Sequence, residues 1–364
     1  MKILQLIQKP QPRGAEIFAA QLSDNLSMLG HTSELLAIFD SPDSYKYSKP
    51  HQLLEANPSA RLWDRQGWKN LSEVIQTKKP DIVQANAGDT LKYAVFSKLL
   101  YKWKQPIVFR NASTLSSYIK SPVQKLYNGF LYRKTDAIAS VSNHSKEDLV
   151  RLYPGLNLKT TTIPIGLEDK QAVKNPFAGN QEQQVNLVHV GGFSFEKNHE
   201  GLLRIFQSVV KKHSNAHLWL VGDGPSRKSI EEKAKELNLL GSVHFTGFVN
   251  NPLDYIAHAQ GLLLPSIIEG LPGVILEAML YETPVVAYNV GGIREIVKHK
   301  KTGWLIEPGD ELTFAQSVNN VLNLRNAEKQ QITSAALNLV KENYMNLGIA
   351  ERFVLLYEQL LNKK

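Results

Sequence analysis

Pro265-Ser266-Ile267-Ile268-Glu269-Gly270-Leu271-Pro272-Gly273-Val274-Ile275-Leu276-Glu277-Ala278-Met279 changes its pattern midway. The apolar run Gly261–Leu264 just before it reads as a buried strand. Positions 265–271 read as a loop, and from Pro272 or Gly273 the spacing turns helical. Proline suits a first helical turn, because its missing N–H would be unpaired there anyway. Strand, short loop and helix in succession are the repeating unit of a parallel, doubly wound sheet. Backbone N–H groups from Gly273 onward, with the positive end of the helix dipole, make this turn an anion site. Glu277 falls about one turn into the helix and Glu269 precedes it, and each carboxylate can accept hydrogen bonds from ligand hydroxyls. Two such carboxylates flanking an amide-lined phosphate pocket meet the needs of a nucleotide sugar. Taken alone, the two glutamates would more often be solvated surface charges.

The same rhythm runs outward in both directions. Upstream, Val185–Val190, Ala216–Val221 and Val243–Phe245 read as strands, with helices over His199–Lys212 and Ser226–Leu237; downstream, Pro284–Tyr288 and Trp304–Ile306 continue the set. The amino half repeats it with strands at Ile3–Ile7, Ser33–Ile38, Ile82–Ala85, Ile107–Arg110, Ala137–Val141 and Thr161–Ile163, and a helix over Ala15–Leu29 that Gly30 ends. Between the halves, Glu168–Gln184 is polar, holds Pro176 and Gly179, and reads as a linker. The expected architecture is therefore α/β, with Rossmann-like domains at 1–170 and 182–345. A closing helix at about 346–364 is expected to pack back on the first. Ligands belong at the carboxyl ends of the strands and in a cleft between the domains.

Composition agrees with a folded chain of 364 residues, 43% hydrophobic and 21% charged. It contains no cysteine, which excludes disulfides, thiolate metal sites and cysteine nucleophiles. The opening MKILQLIQKPQPRG reads as a first strand rather than a signal peptide, and no run suggests a membrane span. The expected location is cytoplasmic. The net charge of +8 is uneven: residues 1–180 hold 24 Lys/Arg against 15 Asp/Glu, and the remainder 18 against 19. A basic half can face nucleic acid, an anionic membrane or simply water.

Glycine turns after neighbouring strands sharpen the site. Val190-Gly191-Gly192-Phe193-Ser194-Phe195-Glu196-Lys197-Asn198 places a lysine able to reach phosphate behind two glycines that allow close approach. Val221-Gly222-Asp223-Gly224-Pro225 and Gly291-Gly292-Ile293-Arg294-Glu295 are further turns of this kind. Each alone is a tight turn. Together, after strands of one sheet, they point at one edge.

These segments, with Thr246-Gly247-Phe248, Pro284-Val285-Val286-Ala287 and Thr302-Gly303-Trp304-Leu305, closely resemble glycosyltransferase family 4 from about Val185 to Asp310. The amino half resembles it in outline, through Arg13-Gly14-Ala15-Glu16 and Ser142…Lys146-Glu147-Asp148-Leu149. The resemblance implies a GT-B fold, two Rossmann-like domains facing across a cleft, and a retaining enzyme that uses a nucleotide-diphosphate sugar. It implies that Glu269 holds the donor sugar's hydroxyls and Glu277 the ribose. Lys197 and amides near Gly273 and Val274 would neutralise the diphosphate. Gly192 and Gly14 would let backbone approach, and loops at Asp223 and Phe248 would border the nucleoside. Three departures stand out. The first glycine loop lacks the family's basic residue, Pro272 has no amide to donate, and Val108-Phe109-Arg110-Asn111-Ala112-Ser113 lacks the usual histidine, leaving Arg110 or Asn111 in its place.

No Asp-x-Asp occurs, so no metal is expected and positive charge from Lys197, the helix terminus and Arg13 or Arg110 must stabilise the leaving group. No cofactor beyond the nucleotide-sugar co-substrate is expected. The expected reaction moves a hexose to a glycan or lipid-linked acceptor, in cell-surface polysaccharide or glycolipid synthesis. Tyr93, Phe96, Tyr101 and Trp103 among Lys92, Lys98, Lys102 and Lys104, and Tyr118, Tyr127, Phe130 and Tyr132 among Lys120, Lys125, Arg133 and Lys134, could rest on anionic lipid at the inner membrane face. Core aromatics with solvated lysines are the simpler account of them. The rival readings are a nucleotide-sugar epimerase or other GT-B enzyme, and a non-enzymatic basic binding protein. No nucleic-acid partner is expected, because the motif-rich half is the neutral one.

Overall fold

The computed structural model describes residues 1–362 apart from Pro12, 42–46, Arg61, Leu62, Ala172 and 179–183. Its chain divides into two compact units, Met1–Glu168 with Met345–Lys364, and Asp169–Tyr344.

The first unit is built on strands β1 (Lys2–Ile7), β2 (Thr32–Ala37), β3 (His51–Leu53), β4 (Ile82–Ala85), β5 (Ile107–Asn111), β6 (Ala137–Ser140) and β7 (Thr160–Thr162). They pair in parallel in the order β3-β2-β1-β4-β5-β6-β7. Strands covered on both faces must be apolar on both, and Ile3, Leu4, Leu6 and Ile7 of β1 are all buried. One face carries the core around Leu4, Leu6, Trp68, Tyr93 and Phe109, the other the core around Ile3, Phe18, Val108 and Phe353. Between β1 and β4 the strand order reverses direction, so the loops after these two strands diverge to opposite faces.

The closing helix, Asn346–Asn362, belongs to this unit. Phe353 packs on Phe18 with ring centroids 5.8 Å apart, and the Tyr357 hydroxyl donates to Gln84 in the sheet. Where the chain leaves and returns, Asn346 N donates to Leu167 O at 2.8 Å, and Glu168 Oε1 accepts from Asn346 and Asn25.

The second unit holds β8 (Val185–Val190), β9 (Ala216–Val221), β10 (Val243–Gly247), β11 (Gly261–Leu264), β12 (Val285–Tyr288) and β13 (Trp304–Ile306), parallel in the order β10-β9-β8-β11-β12-β13. Here the order reverses between β8 and β11. The linker expected at 168–184 differs from what the structure shows. Its residues 179–183 and Ala172 lie outside the described residues, but Phe177 is buried beside Trp219 and Tyr255, and Lys174 N donates to Asp254. An aromatic in a polar stretch was the signal that this segment packs.

Candidate active site

Because all six strands of the second sheet are parallel, the loops after β8, β9, β10, β11 and β12 leave from one edge. Close backbone contacts lock them together. Gly191 N donates to Val221 O at 3.0 Å, Gly222 N to Gly247 O at 3.0 Å, and Phe193 N to Asp223 O at 3.0 Å. Gly222 has φ +134°, and a Cβ there would fall 2.2 Å from Gly191 O, so only glycine fits between these turns. On the other side of the reversal, Gly291 (φ +56°) lies against the loop that bears Glu269. A Cβ at Gly291 would meet Glu269 O at 2.1 Å, while Gly292 N donates to Gly270 O at 2.7 Å.

The loops after β8 and β11 meet at the reversal itself, where doubly wound sheets place their ligands. Ile267 N donates to Glu196 O at 2.8 Å, and Asn198, in the left-handed region at φ 52°, donates its Nδ2 to Pro265 O at 3.1 Å. Asn198 Oδ1 also caps the helix His199–Val210 through Gly201 N. This scaffold delivers Lys197 Nζ to Glu269 Oε1 at 2.7 Å, with the glutamate side chain 9% and the lysine 22% exposed. The lysine stem runs over Gly191, whose hypothetical Cβ would sit 3.4 Å from Lys197 Cε.

The helix of the opening motif spans Gly273–Leu280, with Pro272 at its N-cap and no side chain capping it. Its first amides, on half-buried Gly273 and Val274, are left for solvent or a ligand. The side chain of Glu277, one turn in, has no hydrogen-bond or ion-pair partner among the described residues. Burial pushes its carboxyl up to about 7, although it keeps some accessible surface. A carboxylate in this position gains most from hydroxyl donors brought by a ligand.

Gly192 is exposed, and a Cβ there would make only ordinary contact, 3.6 Å from Asp223 O. Asp223 is engaged: Arg227 Nη1 donates to its Oδ2 at 2.8 Å and Gly224 N to its Oδ1 at 2.7 Å. The Arg227 hydrogen bond, first among the causes, holds its carboxyl below the usual range. Arg227 was legible as the middle of an Asp223-Arg227-Glu231 ladder at four-residue spacing. Phe248 stands 78% exposed beyond β10, its ring open to a flat partner.

Beneath Lys197 lies an aromatic stack that sequence reasoning missed. Phe193 lies parallel to the His199 ring at 4.2 Å, and His189 meets His199 edge-on at 4.8 Å. Burial drives both imidazoles down, to about 4 for His189 and about 2 for His199, so both are neutral and brace the loop without adding charge.

Gly14 and Arg110 belong to the first unit. Gly14 begins the helix Gly14–Met28, is exposed, and a Cβ there would meet nothing within 4 Å. The Arg110 guanidinium rests 4.0 Å from the Phe18 ring centroid and is 4% exposed. Burial lowers it to about 10, opposed by the nearby Glu16 carboxylate. Burial is also the leading influence on Glu16, holding its carboxyl above the usual range. Asn111 Nδ2 donates to Ser140 Oγ and Ser145 O at 3.2 Å, while its buried Oδ1 has no partner among the described residues. Among the described residues no three His, Asp or Glu side chains form a metal-ligand group.

The aromatic stretches divide. Tyr93, Trp103 and Tyr132 are core residues, and Phe96 and Tyr101 pack against that core. Tyr118, Tyr127 and Phe130 keep 41%, 36% and 37% exposure, joined on the helix Pro122–Arg133 by Val123 and Leu126, which were not foreseen. Among the described residues no helix is long and apolar enough to cross a membrane.

Comparison with known proteins defines the class. Residues 171–337 match the family model described as "Glycosyl transferases group 1", and residues 12–171 match "Glycosyltransferase Family 4". An uncharacterised glycosyltransferase of Methanocaldococcus jannaschii is 29% identical over 225 residues, covering 61% of this chain and 57% of that protein. The N-acetyl-alpha-D-glucosaminyl L-malate synthase of Bacillus anthracis is 30% identical over 183 residues, covering 50% and 48%. The chain spans about half the length of these curated relatives in the matched regions. In fold, Anabaena HepE in complex with UDP-glucose superposes with a TM-score of 0.84 at 20% identity, covering 100% of both chains. The sucrose-phosphate synthase of Thermosynechococcus elongatus gives 0.83 at 19%, with the same coverage. Two parallel, doubly wound sheets with these neighbours define a GT-B protein. The two matches together span residues 12–337, and the chain is a GT-B glycosyltransferase of the family 4 type.

Proposed function

We propose that this protein is a retaining glycosyltransferase, independent of metal, that moves a hexose from a nucleoside-diphosphate donor to a glycan or lipid-linked acceptor. The observation that carries the donor reading is the grouping at the strand-order reversal: the Lys197–Glu269 pair, the uncapped helix terminus at Gly273, and the unpartnered Glu277 one turn in. That the Anabaena neighbour binds UDP-glucose supports a uridine nucleotide as the first to test.

In this reading Lys197 turns its ammonium to the diphosphate, and the amides of Gly273 and Val274 share the charge. Glu277 accepts from the ribose diol, Glu269 accepts from the sugar's hydroxyls, and Phe248 covers the base. Transfer raises negative charge on the departing diphosphate. Fixed donors aimed at that charge are the largest lever such a site has. Lys197 and the helix terminus supply them without a metal, and the reaction is expected to persist in EDTA. Double displacement would need a nucleophilic carboxylate about 5 Å from an acid. Glu269 is tied to Lys197 and Glu277 waits for a diol, so neither is placed as a nucleophile. The configuration is then kept by attack from the leaving-group face, the donor phosphate taking the acceptor's proton.

Proton NMR of the first product formed from a uridine diphosphate α-hexose tests this. An α-anomeric product supports the reading, and a β-product overturns retention. The exposed row Val123, Leu126 and Phe130, with Lys120, Lys125, Arg133 and Lys134 close in sequence, supports peripheral contact with an anionic membrane.

A further inference from the structure

In the second unit, the turn that enters β13 and the elbow between the helices Glu311–Leu322 and Asn326–Asn343 border a cavity of about 590 Å³. Residues 298–303 precede β13, so this cavity lies towards the amino edge of the sheet. The groups assigned to the donor stand on loops that leave the strands at the other edge. We propose that the cavity is a second binding site, for a small hydroxylated organic phosphate. Its phosphoryl group meets Lys300 and Lys301, and its body lies on an apolar floor and accepts from the Trp304 indole. The proposal uses no residue of the transfer reading.

Three pieces of sequence build the site. Lys298-His299-Lys300-Lys301 concentrates positive charge in one turn. That turn is held by its own hydrogen bonds: Lys300 N donates to Gly303 O at 2.7 Å, Lys301 N to Lys298 O at 2.8 Å, and the Thr302 hydroxyl to Ile296 O at 2.7 Å. Lys300 keeps a left-handed φ of 59°, a conformation in which asparagine is commoner. Across from it, Glu328, Gln331, Ile332 and Ala335 follow helical spacing and share one face of the helix Asn326–Asn343. The third piece, Asn320 with Leu324, comes from the elbow. Trp304 is part of the unit's core, and Leu324 and Ile332 pack against that core, which makes the floor apolar.

Hydrogen-bonding capacity here is unspent. Trp304 is only 3% exposed, yet its indole N–H has no partner among the described residues and is not sealed from solvent. Buried indoles usually find an acceptor, as Trp103 does in Ser97 and Trp219 in Asn186. The Lys300, Lys301, Asn320 and Gln331 side chains also lack partners among the described residues. Glu328, the one acid among the described lining residues, is engaged by Arg325 at 2.6 Å. Two ammonium groups and an indole donor ask for an acceptor-rich anion, and two amides ask for hydroxyls beside it. Lysine binds phosphate as a point charge, and the volume suits a small molecule.

Indole N–H NMR on the full ¹⁵N-labelled chain tests the proposal. Its five tryptophans give separate signals, and Trp304→Phe identifies that of Trp304 by its loss. Should that variant fail to fold, Gln331→Ala serves as the second, expected to weaken binding without removing the signal. The probes are glucose 6-phosphate, glycerol 3-phosphate and inorganic phosphate, with glucuronate and methyl glucoside as comparators. At least one ester is expected to move the Trp304 signal saturably, and more tightly than inorganic phosphate or either comparator. Affinity should fall tenfold or more in Lys300→Gln/Lys301→Gln, whose melting temperature should match the parent's because both side chains are exposed. It should persist in Lys197→Ala, which separates this site from the donor's diphosphate contacts. An unmoved signal, equal binding of inorganic phosphate or glucuronate, full affinity in the double lysine variant, or loss of binding in Lys197→Ala would each overturn the proposal.

Discussion

Lys197 Nζ lies 2.7 Å from Glu269 Oε1, joining loops that follow adjacent strands β8 and β11 and stand 72 residues apart in sequence. The pair fixes both side chains before any ligand arrives, and a diphosphate must compete for the ammonium. Removing the lysine alone leaves a mostly buried carboxylate without its cation, so Lys197→Ala is expected to lose about 1–3 kcal/mol of stability. Its transfer rate should fall at least ~100-fold, as with other lost charge-stabilising donors. The double variant Lys197→Met/Glu269→Gln should recover much of the stability and none of the activity. Urea titrations beside rate measurements check this; recovery of both would reduce the pair to a structural tie.

Three glycines separate folding from function. Gly291→Ala forces a positive φ on alanine and drives its Cβ into Glu269 O, so the variant should melt lower and lose activity together. Gly14→Ala and Gly192→Ala meet no obstruction in the chain. Both should melt like the parent, while the added methyl groups raise the Michaelis constant for the donor. Normal kinetics in both would remove the close approach assigned to them.

Glu277 gives the site a pH dependence with a definite sign. Its folded value of about 7 exceeds the ordinary 4.5, so between those pH values the folded chain holds more protons than the unfolded one. This contribution to stability is complete below pH 4.5 and is lost as pH rises towards 7. Ribose hydroxyls donate more strongly to the ionised form, which has no proton of its own to place. A nucleotide-sugar diester, which does not titrate here itself, should therefore bind more tightly as pH rises from 6 to 8 and release a proton on binding. Calorimetry in buffers of different ionisation enthalpy measures that release. In Glu277→Gln both the pH trend and the proton should vanish.

Sequence and structure agree best where physics leaves least choice. Parallel strands buried on both faces read as near-continuous apolar runs, so VNLVHV, AHLWLV and GLLL announce β8, β9 and β11. The three-residue β3, His-Gln-Leu at the sheet edge, has no such run and is invisible to that reasoning. Within the site, Lys197, Glu269 and Glu277 were legible because strand-loop-helix order fixes where a loop residue emerges. That Lys197 pairs with Glu269 was not, since it depends on β8 and β11 being neighbours across a sequence gap. His199 looked like a polar residue opening a helix, and its burial is decided by Phe193 in the turn before it.

On the helix Pro122–Arg133, Val123 and Leu126 are 77% and 70% exposed. If that row meets a membrane, the chain should co-sediment with vesicles containing phosphatidylglycerol and not with neutral ones. Val123→Ser/Leu126→Ser should release it without changing its melting temperature. Equal sedimentation of parent and variant would discard the surface.

The central claim is that a nucleoside-diphosphate hexose binds the second unit through Lys197, the Gly273 terminus and Glu277. Titration of UDP-glucose and GDP-mannose, followed by thermal shift, addresses it directly. A ligand at 100 times its dissociation constant adds about 2.7 kcal/mol to stability. The account predicts that one of the two raises the melting temperature of the parent and leaves Glu277→Ala unmoved. An equal rise in both proteins, or none in the parent, would contradict it.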